Sequence, residues 1–384
     1  MHYLPRPLAR SLVPGLLALA AIAAVPTVAA ASDRHQSDYV YVNDNTAGTN
    51  TIAGFVRDAA GRLTPLPGSP FSAGGAGSGA GIPSQGAIQV STDGRYVLAV
   101  DAGSNQISVL RIRRDGALRL VRDGVVSSDG VQPVSVTELD GLVYVANAGA
   151  GGSNYTGFTL GRGGHLHALP GSTVALPDSA QPGDVLFNAT GTKLAGTRVG
   201  SSQIDSFRVG FDGRLTAASG SPFAAQGPGP FGSEFRPTEP NQLFVSNAHG
   251  GAGNGTVSAF RVARDGTLFS IDGSPFADQQ TAPCWVEITH NGEFLFTTNT
   301  ASDTVSRYFI HGDGRLTLLG STPVSSQSGV GAVDERLSTN GRTLYVNESK
   351  ANVLGEFAVS GGSLSQIGSV ALPSGATPAG VAVR

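Results

Sequence analysis

The chain of 384 residues has one cysteine, one tryptophan and one methionine. Cys284 alone cannot make an intrachain disulfide, so the fold is stabilised by packing. It stands between Pro283 and Trp285 in an apolar run with no His or Asp nearby in sequence, which marks it as a core residue rather than a nucleophile. Charge is scarce as well. Asp, Glu, Lys and Arg make up 14% of residues, the net charge is -3, and there is no block of one sign. That excludes the basic footprint of a nucleic-acid binder or of a protein held on an anionic membrane.

The apolar stretch Leu12 to Val25, behind Arg6 and Arg10, is interrupted by Pro14 and followed by Pro26. It is too short to span a bilayer comfortably and leads into the small residues of "TVAAASDRH". This reads as a secretory signal peptide over 1–31, a short linker over 32–37, and a mature domain over 38–384, secreted or retained in the periplasm or cell envelope.

What the chain has in quantity is glycine, 54 residues, with 22 prolines, a combined share below that of a low-complexity segment. Val, Thr and aromatic residues stand in short runs between these turn formers, as in an all-β protein. The runs repeat. "AGRLTPLPGSPF" at Ala60, "DGRLTAASGSPF" at Asp212 and "DGTLFSIDGSPF" at Asp265 are one phrase, with a looser "DGRLTLLGSTPV" at Asp313. A second phrase starts near residues 83, 133, 182, 230, 283, 332 and 378, at steps of 50, 49, 48, 53, 49 and 46.

Each step holds four short β-runs, clearest in "CWVEIT", "EFLFTTN", "TVSRYFI" and "RLTLLGS", joined by Asn-Gly, Asp-Gly and similar turns. Four antiparallel strands per repeat of nearly fifty residues is a propeller blade. The last start, "PAGVAVR", supplies a single strand, and "DYVYVNDN" at Asp38 begins on a second strand. The predicted fold is an all-β, seven-bladed propeller whose C-terminal strand completes the N-terminal blade.

The phrases "P..V.I...G.FLF..N" and "TVS.FRV..DGTL..IDGSPF", in this register, resemble the seven-bladed lactonase family that includes bacterial 6-phosphogluconolactonase and fungal carboxymuconate cyclase. The resemblance covers essentially Asp38 to Arg384. It implies a site at the central channel, built from His, Arg and Glu on the innermost strands. Where the family pattern "GPGPRH" leads into an innermost strand, this chain has "GPGPFG", with Phe231 and Gly232 at the Arg and His positions. Gln132 and Gln181 stand where a His often precedes Pro. A Gln can hydrogen-bond a lactone but cannot relay a proton.

Two repeat positions carry candidate chemistry. At the end of the second strands stand Asp44, Asp101, Asn147, Arg198, Asn247, Asn299 and Glu348, all polar. Ring closure makes Glu348, Asp44 and Asp101 neighbours, an acidic arc suited to a divalent cation such as Ca2+, although such residues also simply begin loops. Arg198, Gln132, Gln181 and His249, the last in a long Gly-rich loop, are candidate substrate-binding groups. In the middle of the innermost strands Gln89, Leu186, Glu234, Glu287 and Arg336 align. Glu234, Glu287 and Arg336, on successive blades, are the candidate catalytic set: a carboxylate as general base and a guanidinium for the developing oxyanion.

Two readings stay open. One is a secreted monomeric lactonase acting on a lactone or sugar-derived cyclic ester, without a required cofactor. The other is a non-catalytic propeller binding an extracellular protein, peptide or cell-wall glycan. An ion pair in a watery channel would fit either.

Overall fold

In the computed structural model residues 38–325 and 329–384 are described. The predicted signal peptide and linker lie outside them. Seven antiparallel sheets follow one another around a ring, each with its strands in radial order. Among the described residues helix is confined to one 3-10 turn, Asp178–Ala180, and no helix is long and apolar enough to cross a membrane.

The predicted closure is present: Val381–Val383 pairs antiparallel with Tyr39–Asn43, with Val40 opposite Val383 and Val42 opposite Val381. The C-terminal strand is thus the innermost strand of blade 1, and blades 2 to 7 follow in chain order. Second and third strands are apolar on both faces because each sheet is covered on both sides by its neighbours. Tyr96–Asp101, for example, is buried at every position.

Inter-blade packing is fastened at the second strand. The buried Tyr41, Tyr144 and Tyr345 donate their hydroxyls to the carbonyls of Gly116, Gly213 and Gly61 at 2.8, 2.9 and 3.1 Å, and Tyr96 donates to Arg162 at 2.7 Å. Each acceptor lies in the third-to-fourth-strand turn of the next blade. Blade 5 has Phe244 at this position, without a hydroxyl, and Arg236 takes over by donating to the carbonyls of His311 and Gly292. A buried ring with one polar end needs such an acceptor, and the turn, curled away from ladder pairing, supplies it.

The "GSPF" phrase proves to be a splice in the outermost strand. In blade 4, Leu215–Ala217 pairs with the third strand, the chain loops out, and Phe223–Ala224 rejoins the same strand. Across the gap the Ser221 hydroxyl accepts the Ser206 N–H at 3.1 Å. Ser69 and Ser274 do the same for Gly54 and Ala259. The three Ser-Pro bonds are cis. The serine satisfies a backbone donor that the ladder would leave open, which explains its recurrence in the phrase.

Candidate active site in the central channel

The residue before most innermost strands sits in the left-handed region: Gln132 at φ 54, Gln181 at φ 44, Gly229 at φ 66, Ala282 at φ 58 and Gly331 at φ 68. Its carbonyl accepts a backbone N–H from just beyond the second strand, as Gln132 does from Ala148 at 2.9 Å and Gly229 from Ala248 at 2.8 Å. A β-bulge follows, shown by register shifts within Pro182/Asp184, Pro230/Ser233, Pro283/Trp285 and Val333/Glu335. The bulge re-aims the strand so that its fifth residue faces the channel.

Register then places seven residues at one level: Ala382 opposite Tyr41, Gln89 opposite Leu98, Thr137 opposite Tyr144, Leu186 opposite Ala195, Glu234 opposite Phe244, Glu287 opposite Phe296 and Arg336 opposite Tyr345. The three catalytic candidates therefore occupy successive places on one ring. Thr137 is the blade-3 member that sequence alignment alone leaves ambiguous by one residue, since a bulge is invisible there.

Arg336 Nη1 lies 3.0 Å from Glu287 Oε2, and Glu287 Oε1 accepts the Leu337 N–H at 3.0 Å. Glu287 Oε1 is thus hydrogen-bonded while Oε2 has the ion pair alone, and the side chain is 6% exposed. Arg336 keeps 30% of its side chain exposed, and together with Glu234 it lines an internal cavity of about 270 Å³. Burial pushes the Glu234 carboxyl up to about 8; Glu287 adds to this and Arg336 opposes it. Burial also raises Glu287, against the pull of Arg336 and the Leu337 N–H. The Arg336 guanidinium is held charged: burial opposes that, but Glu287, Glu234, Asp334 and Asp184 outweigh it.

Sequence reasoning missed the supports of this ring. Asp184 accepts the Ser233 hydroxyl at 2.7 Å and N–H at 3.0 Å, and burial pushes it up to about 7. Gln85 donates to the Ser233 carbonyl and accepts the Val286 N–H, both at 2.9 Å, reaching from blade 2 across to blades 5 and 6. Beside it the Trp285 indole donates to the Ser84 carbonyl at 2.7 Å and meets the Phe231 ring edge-on at 5.4 Å. Gln85 and Trp285 form a partition. The Glu234 cavity lies on one side, and on the other is a second hollow of about 290 Å³, lined by Trp285, Asp334 and Lys350. An "SQG" loop and a lone Trp gave some signal, but not that they meet.

The second-strand ends turn inward instead of forming an open polar rim. Arg198 makes a two-pronged pair with Asp205, at 2.6 and 2.7 Å, and the carboxylate is 2% exposed. It is thereby taken out of the substrate-binding role expected of it. Asn299 likewise donates to Ser306 at 2.9 Å and Asn247 to Ser258 at 2.8 Å. These side chains cross to the third strand of their own blade.

The acidic arc is not assembled either. Asp44 accepts the Thr51 hydroxyl at 2.7 Å, Asp101 accepts Asn50 at 2.8 Å, and Glu348 packs over Gly355, where a Cβ would come within 2.5 Å of Oε1. Among the described residues no three His, Cys, Asp or Glu are placed to hold a metal ion. Burial pushes Asp44 and Glu348 up to about 7 and Asp101 to about 6.

Gln132, Gln181 and His249 line neither channel cavity. The two glutamines serve through their backbone carbonyls, and the exposed His249 lies with its ring beside Gly229. Cys284 is buried with Phe231 and Trp285, and burial pushes its thiol up to about 11. It is a core residue, as its sequence neighbours indicated.

Residues 192–336, which contain Glu234, Glu287 and Arg336, match the family described as "Lactonase, 7-bladed beta-propeller". Over that segment, somewhat more than a third of the chain, the protein is similar to the lactonase propellers. Solved structures of similar fold include a putative 6-phosphogluconolactonase from Bacteroides fragilis, 22% identical at a TM-score of 0.71, covering 92% of this chain and 99% of that one. Another is a periplasmic gluconolactonase from Pseudomonas aeruginosa, 17% identical at 0.71, covering 90% and 99%. A putative 6-phosphogluconolactonase from Bacteroides uniformis gives 20% at 0.70, covering 91% and 100%. At these identities the likeness of this seven-bladed propeller to them is one of fold. No curated protein matches the sequence.

Proposed function

We propose that the chain hydrolyses a small lactone in the channel cavity, with Glu234 as general base and Arg336 binding the carbonyl oxygen. The observation that carries this reading is that Glu234 and Arg336 line one cavity while Glu287, sealed behind them, holds the guanidinium at 3.0 Å. A carboxyl raised to about 8 is a stronger base than an ordinary carboxylate and can draw a proton from attacking water. The negative charge that develops on the carbonyl oxygen falls to Arg336, in surroundings of low dielectric. Glu287 is a positioning residue: its pair fixes the Arg336 fork and offsets the cost of burying that charge.

At about 270 Å³ the cavity is slightly below the roughly 300–1,000 Å³ of drug-sized sites, which favours a single-ring compound. Arg336 is the one cation among its lining residues, so nothing beside it is free to hold a phosphate. This favours a neutral aldonolactone over a phosphorylated one. Export is part of the proposal, supported by the signal-peptide pattern before Asp38; N-terminal sequencing of the protein from the periplasmic or culture fraction tests it.

The enzymatic test is a panel of five- and six-membered lactones, assayed by proton release above the spontaneous rate, with the native chain, Glu234→Gln and Arg336→Met. Turnover by the native protein and its loss in both variants is the expected result. Rates equal to those of the native chain in Glu234→Gln, or no turnover of any lactone, overturn the proposal. The second outcome would leave the non-catalytic binding reading.

A further inference from the structure

Several exposed arginines on this protein are answered by an Asp close by in sequence: Arg95 by Asp93 at 2.6 Å, Arg214 by Asp212 at 2.7 Å and Arg315 by Asp313 at 2.8 Å. Four cations without such an answer are gathered in one place. Lys193, Arg208, Arg261 and Arg264, with Arg315, line a groove of about 1280 Å³ along blades 4 to 6, on the face of the first-to-second and third-to-fourth-strand turns; Glu239, Asp272 and Asp313 also line it, so that cations are in excess. Among the described residues none of the four side chains has an ion-pair partner within 4.0 Å or a hydrogen bond.

Lys193 is the informative one. It lies on the second strand of blade 4 with 6% of its surface exposed, and its ammonium reaches the groove without a partner. Burial lowers its pKa, and Arg208 and Arg264 lower it further against Asp265. Asp265 is itself occupied, accepting the Thr267 N–H at 3.0 Å. In this blade Thr267 replaces the arginine that follows Asp-Gly in blade 4, so the turn makes no ion pair of its own.

The walls are aromatic. Of the three large apolar side chains exposed among the described residues, Phe211 and Phe269 both line this groove. Arg261 lies over the Phe269 ring at 5.5 Å, so that a flat apolar face and a guanidinium edge are presented together.

We propose that this groove binds an acidic oligosaccharide, its carboxylates taken by Lys193, Arg208, Arg261 and Arg264 and its sugar faces packed on Phe211 and Phe269. A single inorganic anion would leave most of the groove empty and the rings uncovered. An extended acidic peptide would need a strand edge to pair with. The edge beside the groove, Leu268–Ser270, is three residues long. A chain of uronate sugars needs no backbone pairing, and it offers both carboxylates and apolar ring faces to a groove that holds both cations and phenyl rings. The inference is independent of lactone hydrolysis in the channel.

The experiment is calorimetric titration of the purified chain with an oligogalacturonate of four to six sugars. Maltohexaose, poly-glutamate and sodium sulfate serve as separate probes. Binding of the oligogalacturonate that weakens as salt is raised, without binding of maltohexaose, is the expected result. Arg208→Ala and Arg264→Ala should each weaken it about tenfold, the loss of one charge-assisted contact. Phe211→Ala should weaken it severalfold. All three side chains are exposed, so the variants should keep the native Tm. No binding of oligogalacturonate, equal or tighter binding of poly-glutamate, sulfate competition at equimolar amounts, or unchanged affinity in the Arg208→Ala/Arg264→Ala double variant would overturn it.

Discussion

Replacing Arg336 by Met should destabilise the protein in a way that depends on pH. The guanidinium is the positive partner of Glu287 at 3.0 Å and also acts on Glu234, Asp334 and Asp184, all raised by burial. Removing one member of a buried pair costs about 3–5 kcal/mol because the other charge is left without compensation; contact with the channel cavity reduces this to about 2–4 kcal/mol. That applies at pH 8, where Glu287 must stay charged or take up a proton against the solution.

At pH 5 Glu234 is protonated, burial favours proton uptake by Glu287 as well once the guanidinium is gone, and the loss falls towards the packing difference between Arg and Met. The sign follows from linkage: Glu234 titrates near 8 when folded and near 4.3 when unfolded, so the native state holds the extra proton in between. Its contribution is fully present below the unfolded value and is lost as pH rises through 8. At about 2.1 cal/mol/K per residue over 38–384, the loss corresponds to a Tm fall of roughly 3–6 °C at pH 8 and about 1–2 °C at pH 5. Thermal unfolding followed by circular dichroism at the two pH values measures it. An equal fall at both, or none at pH 8, would show that the ion pair does not govern this channel. Adding Glu287→Gln to Arg336→Met should restore part of the loss at pH 8, since it removes the stranded charge.

Three further outcomes are expected. Lactone hydrolysis by the native chain should rise with pH through about 8, the range in which Glu234 ionises, and Glu234→Gln should lower kcat by roughly 10²–10⁴-fold; an enzymatic rate flat from pH 6 to 9 would exclude Glu234 as base. Tyr144→Phe, which leaves the Gly213 carbonyl without its 2.9 Å donor between blades 3 and 4, should cost about 1 kcal/mol, seen as a lower urea midpoint at unchanged m; an unaltered midpoint would count against the inter-blade fastening. Arg198→Met should destabilise by about 2–4 kcal/mol through the stranded Asp205 while leaving the KM for an active lactone within twofold, whereas a large KM increase would return Arg198 to substrate binding.

Parts of the site were legible in the repeat. Aligning blades on the residue that opens each innermost strand, Pro230, Pro283 and Ala332 in these three, is enough to bring Glu234, Glu287 and Arg336 to one level, because a closed ring repeats each position at a fixed height. The same alignment misread the second-strand ends. Asp44, Asp101, Arg198 and Glu348 do share a level, but whether a side chain there faces solvent or crosses to its own third strand depends on what stands opposite. Asp205 and Ser108 claim Arg198 and Asp101, and Gly355 makes room for Glu348.

The sequence by itself determined the architecture. Strand length, turn chemistry and period are local properties, and their sevenfold repetition with a strand shared between the ends admits one arrangement. It also determined that "GSPF" is structural, though not how, since the serine's acceptor role exists only beside a third strand. Tertiary structure alone decided which end of the channel the charged ring serves. Gln85 and Trp285, 200 residues apart, meet over it and close one side. The identity of a residue's cross-channel neighbour depends on how six other blades are placed, and no pattern within one blade encodes it.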